Sequence, residues 1–136
     1  MRGTLAAISR RGSEINLYLR LEDGSKRRVT VVGFKPYFYV PDEEGIYASI
    51  FGERLRKVYA RLPDDVPKMR ERYPRHYEAD IPYVRRFMID TGIRSGVELP
   101  DAPTVEHASV RPCDPPAPLR WCVIDIEVLA EHVPDT

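Results

Sequence analysis

A chain of 136 residues, 43% apolar and 31% charged, has the size and composition of a globular domain able to bury roughly two-thirds of its unfolded surface. No window approaches the ~20 consecutive apolar residues of a membrane helix, and Met1-Arg2-Gly3-Thr4-Leu5 runs into the polar Arg10-Arg11-Gly12-Ser13 without a secretory apolar stretch, so a cytoplasmic location and no membrane partner are expected. The formal net charge is zero but polarised: 18 basic and 12 acidic residues lie up to Arg86, against 2 basic and 8 acidic from Glu98 onward, which suits phosphate contacts early and disfavours them late.

In chain order, residues 4–9 with the Arg11-Gly12 turn read as a first strand. Glu14-Ile15-Asn16-Leu17-Tyr18-Leu19-Arg20-Leu21 places apolar side chains at every second position, the period of a half-buried strand. Asp23-Gly24 tolerates the positive φ of a tight hairpin, so residues 26–32 return antiparallel. Residues 34–40 read as a further strand, with Pro36 at an edge or bulge, and the first forty residues as a β-meander. A short helix interrupted by Gly45 is expected over 42–50, and a strand over 54–61.

Two helices, near 65–74 and 80–91, begin alike: Asp65-Val66-Pro67 and Asp80-Ile81-Pro82 each set an acidic N-cap before a proline in the first turn. Val66, Met69 and Tyr73 share a face of the first; Ile81, Val84 and Met88, with Phe87 adjoining, share a face of the second, which stops at Gly92. Residues 98–119 hold six of the thirteen prolines and read as extended linker with a strand near 105–110. The run from Trp121 to Val128 is apolar on both faces, as a central strand of a new sheet would be. The expected class is α+β: an antiparallel sheet with two to three helices over 1–97, a linker over 98–119, and a terminal strand within 120–136.

Cys113 and Cys122, with His76, His107 and His132 scattered, form no zinc-site spacing and are expected to stay reduced. Asp125 and Glu127, two apart on a strand, project from one side, and paired carboxylates are part of the oxygen shell that Mg²⁺ needs in two-metal phosphodiester chemistry.

Three segments in order carry a family resemblance. Trp121-Cys122-Val123-Ile124-Asp125-Ile126-Glu127 looks like the first exonuclease motif of family B DNA polymerases. The stretch from Tyr77 to Asp90, with Asp80-Ile81-Pro82-Tyr83-Val84-Arg85-Arg86 at its centre, is similar to the helix preceding that exonuclease domain in archaeal and eukaryotic members. Phe34-Lys35-Pro36-Tyr37-Phe38-Tyr39 resembles their Phe-Arg-Pro-Tyr-Phe-Tyr strand.

The resemblance implies an amino-terminal domain that holds single-stranded template DNA ahead of an active site. Pro36, Tyr37 and Tyr39 are the expected stacking residues, and Arg54, Arg56, Lys57, Arg85 and Arg86 the expected phosphate contacts. In many archaeal relatives this domain also captures template uracil. Pro36-Tyr37 matches that pocket, whereas Ala7 stands where a tyrosine is usual and the stretch between Val66-Pro67 and Asp80-Ile81-Pro82 is shortened, which is expected to remove pocket walls. Further exonuclease and polymerase motifs are absent, so Asp125 and Glu127 are expected to be a partial metal site, using Mg²⁺ only with the remaining polymerase polypeptide. Three functions stay open: part of a polymerase, a free-standing single-strand-binding module, or a small Mg²⁺-dependent nuclease. An unpartnered strand at 121–128 is expected to pair with the amino-terminal sheet or with a second copy in a homodimer.

Overall fold

The computed structural model describes residues 1–128. Strands β1 (Arg2–Arg11), β2 (Glu14–Leu21) and β3 (Lys26–Val32) form the expected meander. Alternation explains it: Ile15, Leu17 and Leu19 of β2 and Val29 and Val31 of β3 are all at most 2% exposed, while the residues between them face outward. The turn is closed by the Asp23 carboxylate accepting from the Ser25 backbone N–H at 2.9 Å, with Gly24 at φ 82°.

The fourth strand departs from the meander. After Gly33, β4 (Tyr37–Pro41) crosses into a separate three-stranded sheet, ordered β4-β6-β5, with β5 at Tyr47–Ala48 and β6 at Arg54–Tyr59. No helix forms over 42–50. The Gly45 N–H is held 2.9 Å from the Asp42 carbonyl, and Gly45 packs so close to the Leu55 backbone that only a residue without a side chain fits.

The first helix starts where its signal places it, with Asp65 at the N-cap position, but ends at Arg70 rather than near 74, whereas the second starts later than its signal implies. A 3-10 turn at Pro63–Asp65 precedes α1 (Val66–Arg70), and the Asp65 carboxylate accepts from the Leu62 N–H at 3.2 Å, closing that turn instead of capping the helix. Helix α2 (Tyr83–Thr91) has Pro82, in extended conformation, as its N-cap, so Asp80 lies outside it. Gly92 ends α2 at φ 74°, the left-handed position expected of it.

The proline-rich stretch differs most from expectation. Strands β7 (Gly96–Glu98), β8 (Thr104–Glu106) and β9 (Arg111–Cys113) complete a six-stranded sheet ordered β8-β3-β2-β1-β7-β9, in which β8 runs parallel to β3 and the other pairs are antiparallel. Residues expected as a linker therefore pack against the sheet. Prolines are compatible with this because β8 and β9 are edge strands, where a missing N–H costs no ladder bond, and because Val105, Val110 and Ala117 find buried positions. Ala117 is pinned by Thr4, whose hydroxyl donates to its carbonyl at 2.6 Å and accepts from its N–H at 3.0 Å.

Two apolar clusters result. Helix α2 covers the large sheet through Tyr83 and Phe87, which join Phe34, Tyr37 and the β2–β3 residues. Helix α1 and the turn after it cover the small sheet: Val66 and Met69 of α1, and Tyr73 beyond its end, meet Phe38, Val40, Val58 and Ala60. The Tyr83 hydroxyl lies 2.8 Å from the Ser13 carbonyl and 2.7 Å from the Phe34 carbonyl, tying α2 to the ends of β2 and β3.

Residues 121–128 belong to neither sheet. They take no regular secondary structure and are exposed, with Trp121 at 84% and Val123 at 90%, so the expected pairing with the amino-terminal sheet does not occur. Expectations for residues 129–136 lie outside the described residues. No helix of the described chain is long and apolar enough to cross a membrane.

Candidate nucleic-acid interface

The two similar tripeptides converge. Val66-Pro67 at the start of α1 and Ile81-Pro82 just before α2 come together, and with Pro36, Tyr37 and Tyr83 they line a cavity of about 240 Å³. The flanks of the shortened stretch supply these walls, and of the stretch itself only Ala79 lines the cavity. Ala7 is exposed just after a β-bulge in β1 and lines nothing here; Arg10, further along the same strand, does.

Arg86 gives this apolar cavity its polar character. It is only 6% exposed, its Nη2 donates to the Glu78 carboxylate at 2.5 Å, and its guanidinium carbon lies 4.7 Å from the centre of the Tyr37 ring. Its Nε is buried with no partner among the described residues. Glu78 reaches it from a left-handed backbone position, φ 60°, unusual for a side-chain-bearing residue. That position is enforced next door, where Tyr77 and Tyr39 exchange backbone hydrogen bonds of 2.8 and 3.0 Å. The Tyr37 hydroxyl donates to Asp90 at 2.7 Å; burial first, then this carboxylate, raise its pKa well above the usual phenol value. Burial likewise raises Tyr83 to about 12.

The small sheet presents a second chemistry. Register places Tyr37 opposite Tyr59 and Tyr39 opposite Lys57, so these side chains share one face while Phe38, Val40 and Val58 fill the other. The Lys57 ammonium lies 4.2 Å from the Tyr37 ring centre, 4.9 Å from Tyr47 and 5.9 Å from Tyr39. This is an aromatic cage that already holds its own cation.

Each sequence-predicted residue can now be placed. Pro36, Tyr37 and Arg86 line the first cavity, with Tyr37 and Arg86 buried and bonded rather than standing free. Tyr39 is half-buried against Tyr37 and Tyr47. Arg54 donates from Nε to the Gly45 carbonyl at 2.9 Å, and Arg56 pairs with Asp42 at 3.2 Å. Arg85 is exposed and pairs with no carboxylate among the described residues.

Asp125 and Glu127 are exposed on the segment outside the sheets, and among the described residues no group of three or more His, Cys, Asp or Glu gathers to hold a metal. Two solvated carboxylates without further oxygen ligands do not fit a divalent-ion cage. Residues missed by sequence reasoning are Arg10, Val66-Pro67 and Ile81-Pro82 as cavity walls. The paired tripeptides were the available signal, but their prolines were read only as helix starts.

No protein-family model matches the sequence, and no curated protein matches it. The fold, however, is similar to that of a solved family B DNA polymerase from the hyperthermophilic archaeon Pyrobaculum calidifontis, with a TM-score of 0.59 and 27% sequence identity. The match covers 74% of this chain and 18% of the polymerase, so the chain spans a small part of that enzyme's length.

Proposed function

We propose that this chain is the template-facing portion of a family B DNA polymerase, binding single-stranded DNA ahead of an active site carried by further polypeptide. The observation that carries this reading is the shared fold at 27% identity over most of the chain. The order of the polymerase-like segments at 34–39 and 77–90 supports it, because both contribute walls to the cavity described above.

The cavity favours capture of a single unpaired base. Pro36, Pro67, Pro82 and Val66 make apolar walls, and Tyr37, Tyr83 and Arg86 join the lining. Uracil, whose ring lacks the methyl group of thymine, is the guest that tests whether these walls discriminate by shape. In this reading Asp125 and Glu127 take part in Mg²⁺ chemistry only with carboxylates supplied by the rest of the polymerase.

Fluorescence anisotropy tests the reading. Labelled single strands should bind more tightly than the matching duplex, with an affinity that falls as salt rises. A central deoxyuridine should bind more tightly than thymidine at the same position. Equal affinity for single strand and duplex sinks the template reading; equal affinity for uracil and thymine sinks the base-capture part alone.

A further inference from the structure

We infer that a second cavity, beside the first, takes the nucleotide adjacent to the captured base: Lys35 and Lys57 receive its phosphate, and Tyr59 stacks on its base. The inference rests on the single-strand reading above. This second cavity, about 490 Å³, is lined by Lys35, Tyr37, Lys57, Tyr59 and His107 among others, and Tyr37 is the residue it shares with the first. A strand that sends one base to the Arg86 side of Tyr37 has a neighbouring nucleotide to place, and the Lys57 side is the adjoining space.

The charges point to an anion. Like most of the chain's Lys and Arg residues, Lys35 and Lys57 have no carboxylate within ion-pair distance among the described residues, so both ammonium groups are free to meet a phosphate. No carboxylate lines the cavity; the nearby Glu106 packs against the backbone of Gly33. The Lys57 ammonium is held in place by tyrosine rings instead, so an arriving phosphate gains an oriented cation without breaking an ion pair. His107 also lines this cavity.

Tyr59 supplies the stacking surface. It is 54% exposed, although the cross-strand Tyr37, 5.8 Å away between ring centres, is 8% exposed. Its hydroxyl makes no hydrogen bond among the described residues, so neither burial nor bonding accounts for an aromatic ring at this place. Base stacking on an open ring requires only such a free face.

The test uses the full chain and a fluorescein-labelled thymidine oligonucleotide with one central deoxyuridine, titrated over a range of salt. Lys35→Ala and Lys57→Gln should each weaken binding several-fold at low salt and reduce the salt slope by about 0.7, the loss of one single-strand phosphate contact. Tyr59→Ala should weaken binding about tenfold with the slope unchanged. Arg28→Ala, which removes an exposed charge from the large sheet, is the control. If the unaltered chain binds and all three variants behave like Arg28→Ala, the second subsite is wrong while the template reading stands. If the unaltered chain does not bind single strands, the template reading fails and this subsite with it. Lys35 and Tyr59 are exposed and unbonded, so their variants decide the matter even if Lys57→Gln disturbs the cage.

Discussion

Replacing Glu78 by glutamine probes how the candidate site holds a buried cation. The substitution keeps an acceptor for the Arg86 Nη2 and removes only the charge, leaving a guanidinium that is 92% buried at the side-chain level facing a neutral partner. Two unit charges at ~4 Å attract by about 4 kcal/mol at the effective dielectric near a protein surface. The Glu78 side chain is 47% exposed, so solvent screens part of this, and the loss should fall between the ~0–1 kcal/mol of surface pairs and the ~3–5 kcal/mol of buried ones, at about 2 kcal/mol.

At roughly 2.1 cal/mol/K of unfolding entropy per residue, that lowers Tm by about 7 °C, measurable by circular dichroism melting at neutral pH. Arg86→Met should cost less, since it removes the buried charge itself and leaves Glu78 in contact with water. The double variant should then be close to Arg86→Met alone. The reasoning is refuted if Glu78→Gln melts with the unaltered chain, or if Arg86→Met is the more damaging of the two.

Three further outcomes follow from the geometry. Tyr83, raised to about 12, binds its proton more tightly folded than unfolded, where its pKa is ~10. Its contribution is therefore fully present below pH ~10 and lost as pH rises towards 12; melts across that window should show declining Tm, and Tyr83→Phe should flatten the decline. Gly45→Ala should destabilise by ~1–3 kcal/mol in urea unfolding because the added methyl meets the Leu55 backbone, and an unchanged midpoint would contradict the packing described. Trp121, the single tryptophan, should show the emission and acrylamide quenching of a water-exposed indole when the chain is monomeric. Should residues 121–128 pair between copies, quenching will fall as concentration rises, together with a doubled solution mass.

What the sequence reveals about this fold depends on how many residues share a signal. β2 and β3 were legible because eight and seven residues repeat one period with a turn of known chemistry between them. β7 and β9 were not, and β8 only in part: three residues are too few to show a period, Pro112 pointed away from pairing in β9, and the strand expected near 105–110 is β8 at Thr104–Glu106 followed by a 3-10 turn at His107–Ser109. The helix expected at 42–50 failed for a different reason: Gly45 is fixed by its contact with Leu55, ten positions on, which no local propensity encodes.

The site divides the same way. Pro36, Tyr37 and Arg86 were readable as a polymerase-like pattern, yet that Arg86 is buried against Glu78, and that Lys57 sits over tyrosines from two strands, emerges only when β4, β5 and β6 are laid side by side.

The Thr4–Ala117 clasp also bears on the order of folding events. It joins residues 113 positions apart, and β1 obtains its second neighbour only when β7 arrives, more than ninety positions after Arg2. A chain emerging from the ribosome can close the β1–β2–β3 hairpins early, since those pairings are local. It cannot cover the far edge of β1 until almost the whole domain has been made. Contacts of such long sequence separation slow folding, so the outer edge of β1 is the surface of the nascent chain that stays open longest.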